Sequence, residues 1–179
     1  MDLYRLPPTV LPVCQPNAER VLLGPDVLQD ELAALGYPGF AHVGSKNMRN
    51  PAEVLFGAIT QSDLDTRLVE ALPWVINKYP DLDWPWLRDQ VKLSNIQNRL
   101  GYIVYLAKET HPESGTEFGR LCSWANDLEE ARLAREGTLC RDSMPQRERV
   151  WLRSHRLSAA EHWNLLTSIT PEQLPYAAK

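Results

Sequence analysis

Prolines are distributed unevenly along this chain, and seven of the fourteen lie within the first 51 residues. Each proline removes a backbone N–H donor and keeps the residue before it extended. We therefore predict that residues 1–50 form a proline-rich, loop-rich extension, with short strands at 21–23 and 40–43. One short helix is expected in this extension, beginning at Pro25 and ending at Gly36.

From residue 51 onward the sequence is typical of helices. Ser or Thr followed three residues later by Glu or Gln can form a capping box, in which two side chains satisfy the first free backbone donors of a helix. Five such pairs precede apolar periodic segments: Ser94–Gln97, Ser114–Glu117, Ser143–Gln146, Ser158–Glu161 and Thr170–Gln173. Residues 51–179 are thus predicted to form a mainly α domain, an irregular helical bundle or a short stack of helical hairpins, with about seven helices.

Two helices of this domain carry specific expectations. Residues 96–107 are apolar around almost the whole circumference, which predicts a central helix. The apolar stripe from Leu64 to Tyr79 predicts another long helix, but Pro73 lies inside it. Because proline removes a hydrogen bond and its ring clashes with the preceding turn, we expect Pro73 to kink or split that helix.

Composition and charge exclude several classes of protein. The chain is 44% hydrophobic and 23% charged, as in a folded globular domain, and no apolar run reaches the roughly 20 residues of a membrane span. Its net charge of −4 gives no global basic field for nucleic acid. The first ten residues do not resemble a signal peptide, and three cysteines cannot all pair in one chain, so we expect reduced thiols and a cytoplasmic location.

Motifs that bind metals or cofactors are not found. Cys14, Cys122 and Cys140 have no CxxC spacing, and the four histidines are scattered. The sequence has no glycine loop for phosphate, no G-x-S-x-G and no H-E-x-x-H. We therefore predict no metal site, no cofactor and no catalytic residues, and classify the chain as a non-enzyme.

Aromatic and apolar side chains supply the candidate protein-binding residues. Trp74, Trp84 and Trp86 crowd one short stretch, and two interpretations stay open: corners of the core, or an exposed patch for a protein partner. The proline-rich segment from Pro7 to Pro16 could lie on its own domain or on a partner. The predicted partner-binding residues are Val10, Leu11, Val13, Trp74, Trp84 and Trp86.

A second hypothesis places DNA at the start of the helix predicted around residues 96–107. A break near Lys92–Ser94 separates it from a preceding helix, as in a helix-turn-helix, and amide and guanidinium groups open it. The predicted nucleic-acid-binding residues are Asn95, Gln97, Asn98 and Arg99. The alternative is that these polar side chains are ordinary helix caps.

The arginine-rich segment RERVWLRSHRLSAAEHW resembles a ribonuclease signature. Arg149 precedes His155 by six residues, and Arg156 precedes His162 by six, as in the R-x4–6-H motif of HEPN-type ribonucleases. In that family the motif implies a cation on the phosphate and a proton-transferring histidine. Here Val150 and Leu157 replace the polar residue that usually follows the arginine. A plain basic surface is the alternative to this ribonuclease hypothesis.

Residues from about 50 to 178 also resemble the helical domain of bacterial helix-turn-helix and antitoxin-like proteins. The resemblance lies in the EALPW turn, the YPDLDW entry and the QNRLG helix. It implies a non-enzymatic regulator that neutralises or controls another bacterial protein, such as a toxin, with homo-oligomerisation left open. A DNA-binding transcriptional regulator is the first alternative and a HEPN-like ribonuclease the second.

Overall fold

A computed structural model describes residues 23–42, 49–111 and 115–176. These residues are mainly helical, and among them are two short strands and two single 3-10 turns, at Pro38–Phe40 and Pro171–Gln173. The helices are α1 (Pro25–Ala34), α2 (Pro51–Ile59), α3 (Thr66–Lys78), α4 (Trp84–Leu93), α5 (Gln97–Glu109), α6 (Thr116–Glu129), α7 (Gln146–His155) and α8 (Ser158–His162). The strands are β1 (Gly137–Thr138) and β2 (Leu165–Leu166), which pair in parallel with Gly137 opposite Leu165. This architecture confirms the predicted irregular helical bundle.

Helix α5 is the centre of the bundle, as its all-round apolar sequence predicts. It packs on α3, α4, α6 and α8, and Leu100, Ile103 and Leu106 are completely buried. Gly101 lets the ring of Trp163 lie directly against the helix backbone, since a Cβ on Gly101 would lie 2.4–2.6 Å from three ring carbons. The position therefore needs a residue without a side chain.

Prolines and short polar side chains set the helix starts. Pro25 and Pro51 occupy the first turns of α1 and α2, where a missing N–H has no cost. Asp65 and Asp83 cap α3 and α4 by accepting from the backbone N–H of Arg67 and Trp86. Gly36, with φ +85°, ends the α1 region in the left-handed conformation that favours glycine.

The predicted capping boxes are mostly wrong in detail. The N-cap positions of three helices are not the predicted serines, and no side chain caps these helices by a hydrogen bond. The N-cap residues of α5, α7 and α8 are Ile96, Pro145 and Leu157. Ser114 lies outside the described residues, and α6 begins after Gly115. Only Thr170 pairs with Gln173 as expected, where the Thr170 backbone N–H donates to Oε1 at 3.3 Å. Local signals thus locate the helix starts to within about three residues but not their caps.

Two further local expectations are corrected. Helix α3 continues through Pro73 as a single element, so the expected split is wrong, whereas the expected kink stays a prediction. Its residues on both sides of the proline are buried against the core. Phe40 ends a 3-10 turn and is not in a strand, while residues 21 and 22 of the other expected strand lie outside the described residues. Burial has outweighed the local preference of proline in α3.

The described part of the predicted extension shares the core of the bundle. Helix α1 packs on α2 and α3, and Leu28 and Leu32 belong to the same continuous hydrophobic cluster as α5. The half-buried Tyr79 hydroxyl donates to the Leu35 carbonyl at 2.8 Å, and Arg49 pairs with the buried Glu31 carboxylate at 2.8 Å. Packing and polar contacts therefore both attach α1 to the rest of the bundle.

Three chemical features of residues 23–42, 49–111 and 115–176 complete the description. None of the helices there combines the length and the apolar character of a bilayer crossing. These residues contain no group of three or more His, Cys, Asp or Glu side chains placed to hold a metal ion. Cys122 and Cys140 are both free thiols, and burial raises the pKa of Cys140 to about 11.

Candidate functional site

The three predicted tryptophans occupy three different environments. Trp84 is buried and stacks on Trp124 with 4.4 Å between ring centroids, while its indole N–H donates to Asp127 at 2.9 Å. Trp74 and Trp86 are half-buried and pack against the core, edge-on to Tyr37 and Phe56 respectively. Trp84 is therefore a core residue with its polar atom satisfied, and the three rings do not form one exposed patch. Val10, Leu11 and Val13 lie outside the described residues.

The predicted DNA-reading side chains at the start of α5 face the interior. Gln97 and Asn98 are each only 4% exposed. Gln97 donates to the Ala131 carbonyl at 2.8 Å, and Asn98 exchanges two hydrogen bonds of 2.8–2.9 Å with the backbone of Leu133. These amides are occupied by the loop after α6 and cannot reach base edges, so the recognition-helix interpretation is wrong for them.

Arg99 is the second correction at this end of α5, because its guanidinium is committed to the protein backbone. It donates to the carbonyls of Thr138, Ile59 and Gln61 at 2.7–2.9 Å. Its Nη2 also donates to both carboxylate oxygens of Asp142, at 3.0 and 3.1 Å, which forms an ion pair. The Arg99 side chain is only 11% exposed. Arg99 therefore ties three chain segments together instead of meeting a phosphate, whereas Asn95 alone of the predicted four is exposed.

The residues of the HEPN-like pattern are divided between separate sets of contacts. Arg149 donates to the backbone carbonyls of Asp142 and Met144, whereas His155 hydrogen-bonds the Trp151 carbonyl. Arg149 and His155 lie on the same helix six residues apart, about 240° around its axis, so they point to different sides.

The second Arg–His pair is likewise divided. Arg156 donates to the Leu165 carbonyl at 3.0 Å, whereas the His162 ring meets the Glu129 carboxylate at 2.6 Å. Each arginine therefore serves the fold around β1, β2 and α7, and each histidine has a different partner.

Helix α7 carries two exposed large apolar side chains that follow one another in the chain, Val150 and Trp151. Leu152 is its one buried residue, and packs in a separate three-residue cluster with Met144 and Leu166. On the other sides, Trp151 is 55% exposed and Val150 54% exposed. We define the α7 face as five exposed residues of this helix and its C-terminal link: Arg147, Val150, Trp151, His155 and Leu157.

The indole at the centre of the α7 face is held in place. The ring of Trp151 stacks in parallel on His155, with centroids 4.5 Å apart and planes 3° apart. A hydrogen bond of 2.8 Å between His155 Nδ1 and the Trp151 carbonyl fixes the imidazole beneath it. The aromatic surface is thus ordered before any contact with another molecule.

Most arginines around the α7 face already have partners. Arg141 pairs with Glu148, and Arg153 pairs with Glu136 at 2.7 Å. The hydrogen bonds from Arg153 lower the pKa of the Glu136 carboxyl. Within the described part of the chain, Arg147 is exposed and makes no hydrogen bond or ion pair. The surface is therefore mixed, and Arg147, four residues before Trp151, is a cation to which the described residues offer no partner.

The α7 face was not predicted as a binding site, although the sequence contains a signal for it. One turn before Trp151 stands Arg147, and one turn after it stands His155, so the indole belongs to no apolar stripe. An aromatic residue without apolar neighbours at helical spacing is expected to remain exposed.

Comparison of the chain with known protein families, with curated proteins and with solved structures gives no match.

Proposed function

We propose that this protein is a stoichiometric regulator that acts in the cytoplasm by binding another protein through the α7 face. The observation that carries the proposal is the exposure of Trp151 and Val150 on a helix that buries a single residue. The antitoxin-like form of the proposal, in which binding neutralises a toxin, is supported by the resemblance of residues 50–178 to antitoxin-like proteins.

Physical chemistry favours Trp151 as the anchor of a protein contact. Tryptophan is enriched among the few residues that contribute most of the binding energy in protein interfaces. An indole already held on His155 loses little conformational freedom on binding, so less of the interaction energy is spent on ordering it. Val150, the chain neighbour of Trp151, is 54% exposed and adds apolar area to the face.

Protein is favoured over nucleic acid as the partner by the state of the arginines. Phosphate binding depends on cations that are free to neutralise the backbone of the nucleic acid. Arg149 and Arg156 donate to backbone carbonyls, and Arg141 and Arg153 are paired with glutamates. Among the residues that the structure describes, Arg147 is the one arginine of this segment without an intramolecular partner, so no row of free guanidinium groups is available to follow a nucleic-acid backbone.

Affinity capture from the native cells tests the proposal. The full-length protein should retain one or a few proteins in near-stoichiometric amounts, and Trp151→Ala should lose them. Leu93→Ala is the matched control, since Leu93 is an apolar residue that is 77% exposed on a different helix, α4. This variant should retain the same proteins as the wild type. If Trp151→Ala retains the same proteins as the wild type, or if neither retains any, the proposed function is wrong.

A further inference from the structure

We infer that the α7 face recognises an acidic segment of the partner protein, one that carries a carboxylate next to an apolar side chain. This inference rests on the proposed function and adds the chemistry of the partner. It follows from three features of the face: the sign of the local charge, the free guanidinium of Arg147, and the spacing between that guanidinium and the indole of Trp151.

The local charge around α7 is opposite to that of the whole chain. Residues 141–156 contain five arginines and two acidic residues, whereas the full chain has 19 basic and 23 acidic residues. A basic surface on an acidic protein attracts an acidic partner, and the rest of the chain repels it. Complementary charge of this kind orients the approach of the partner and selects against basic proteins.

Arg147 determines which chemical group the partner must present to this basic surface. Its planar guanidinium can donate two parallel hydrogen bonds to one carboxylate. The other four arginines of the segment keep their intramolecular partners, so the partner carboxylate has one defined position to occupy.

The spacing along α7 places an apolar contact next to that carboxylate. Arg147, Trp151 and His155 recur every four residues, so they lie along one side of the helix with about 6 Å between successive positions. When a carboxylate of the partner binds Arg147, an apolar side chain of the partner that lies one turn further along α7 therefore meets the indole of Trp151. Val150, which directly precedes Trp151 in the chain, is also exposed and adds apolar area to the α7 face.

A direct binding experiment uses synthetic peptides as probes. The first is a fluorescein-labelled helical peptide of glutamate and leucine, and the second is the same peptide with lysine at each glutamate. A labelled oligouridylate tests the nucleic-acid alternative. Fluorescence anisotropy with the full-length protein should show binding of the glutamate peptide only, and the affinity should fall as the salt concentration rises.

Matched variants assign this binding to the α7 face. Arg147→Glu and Trp151→Ala should each weaken binding of the glutamate peptide by about tenfold or more. Lys78→Glu on α3 and Leu93→Ala on α4 are exposed controls that should bind as the wild type does. Arg147→Glu should fold normally, because an acidic residue in the first turn of α7 interacts favourably with the helix dipole.

The outcomes separate this inference from the proposed function. Equal binding of the lysine peptide, binding of the oligouridylate in its place, or unchanged affinity in Arg147→Glu would each overturn the acidic-partner inference. If proteins captured from cells depend on Trp151 but not on Arg147, the proposed function stands and the inference is wrong. If they do not depend on Trp151, both fail.

Discussion

The start of α5 and the exposed side of α7 use similar residues in opposite ways. At α5, Gln97, Asn98 and Arg99 are directed inward and donate to backbone carbonyls of distant loops. At α7, Trp151 and Arg147 are directed outward, and the described residues offer the guanidinium no partner. Polar residues that open a central helix serve the fold, whereas those around a peripheral helix remain available for binding.

The difference comes from what surrounds each helix. Irregular segments on both sides of α5 leave carbonyl groups inside the protein, and each of these needs a donor. Arg99 alone supplies donors to Ile59, Gln61 and Thr138. Helix α7 instead packs mainly on the short strand β2, through Leu152, and leaves most of its circumference to solvent.

The largest loss of stability is expected when Arg99 is replaced. Arg99→Ala should lower the free energy of unfolding by about 3 kcal/mol, because three partly buried carbonyls lose a charged donor and Asp142 loses its ion-pair partner. Urea unfolding followed by circular dichroism measures the change, and Arg147→Ala is the matched control with an effect below about 0.5 kcal/mol. Equal stability of the two variants would abolish the distinction between the two regions.

A smaller loss is expected at Asn98, which exchanges two hydrogen bonds with the backbone of Leu133. Asn98→Ala should cost about 2 kcal/mol in the same unfolding experiment. Asn95→Gly is the control, because Asn95 is exposed and has φ +56°, a conformation that glycine adopts without strain. A larger loss in Asn95→Gly than in Asn98→Ala would contradict the assignment of the buried amide to the fold.

Trp151 should behave in the opposite way. Trp151→Ala removes a large side chain, yet should change the free energy of unfolding by no more than about 0.5 kcal/mol, since the residue is 55% exposed and its ring stacks on His155, which is itself exposed. Thermal unfolding of the variant measures this. A fall of many degrees in the midpoint would show that the indole belongs to the core, and would remove the observation behind the proposed function.

The smallest effect concerns Asp63, which lies between α2 and α3 and accepts from the Ser143 hydroxyl and backbone N–H just before α7. These hydrogen bonds lower the pKa of Asp63 in the folded protein. The unfolded chain therefore takes up the proton first as the pH falls. The stabilisation is complete above the ordinary aspartate pKa and disappears as the pH falls through the folded pKa.

The free energies of unfolding of the wild type and Asp63→Asn should accordingly differ at neutral pH and converge in acid. Ser143→Ala keeps the backbone N–H and loses the hydroxyl donor, so its stability should depend less on pH than that of the wild type. A constant difference between wild type and Asp63→Asn across this range would rule out the Asp63–Ser143 link as its cause.

Local signals account for much of the fold but for little of the candidate site. Pro25 and Pro51 mark helix starts through their backbone chemistry, and Asp83 marks one through its side-chain carboxylate. The apolar circumference of α5 predicts its central position. The acceptors of Gln97 and Asn98 lie more than 30 residues away, so no local pattern could pair them. Burial of the α5 amides and exposure of α7 are both tertiary properties.

Acrylamide quenching of Trp151 fluorescence, with and without the captured partner protein, is the most direct test of the α7 face. Subtracting the signal of Trp151→Phe separates this indole from the other five tryptophans of the chain. We predict ready quenching in the free protein, and strong protection with emission at shorter wavelength when the partner is bound. Identical quenching of Trp151 in both states would contradict the account, because the partner would then bind elsewhere.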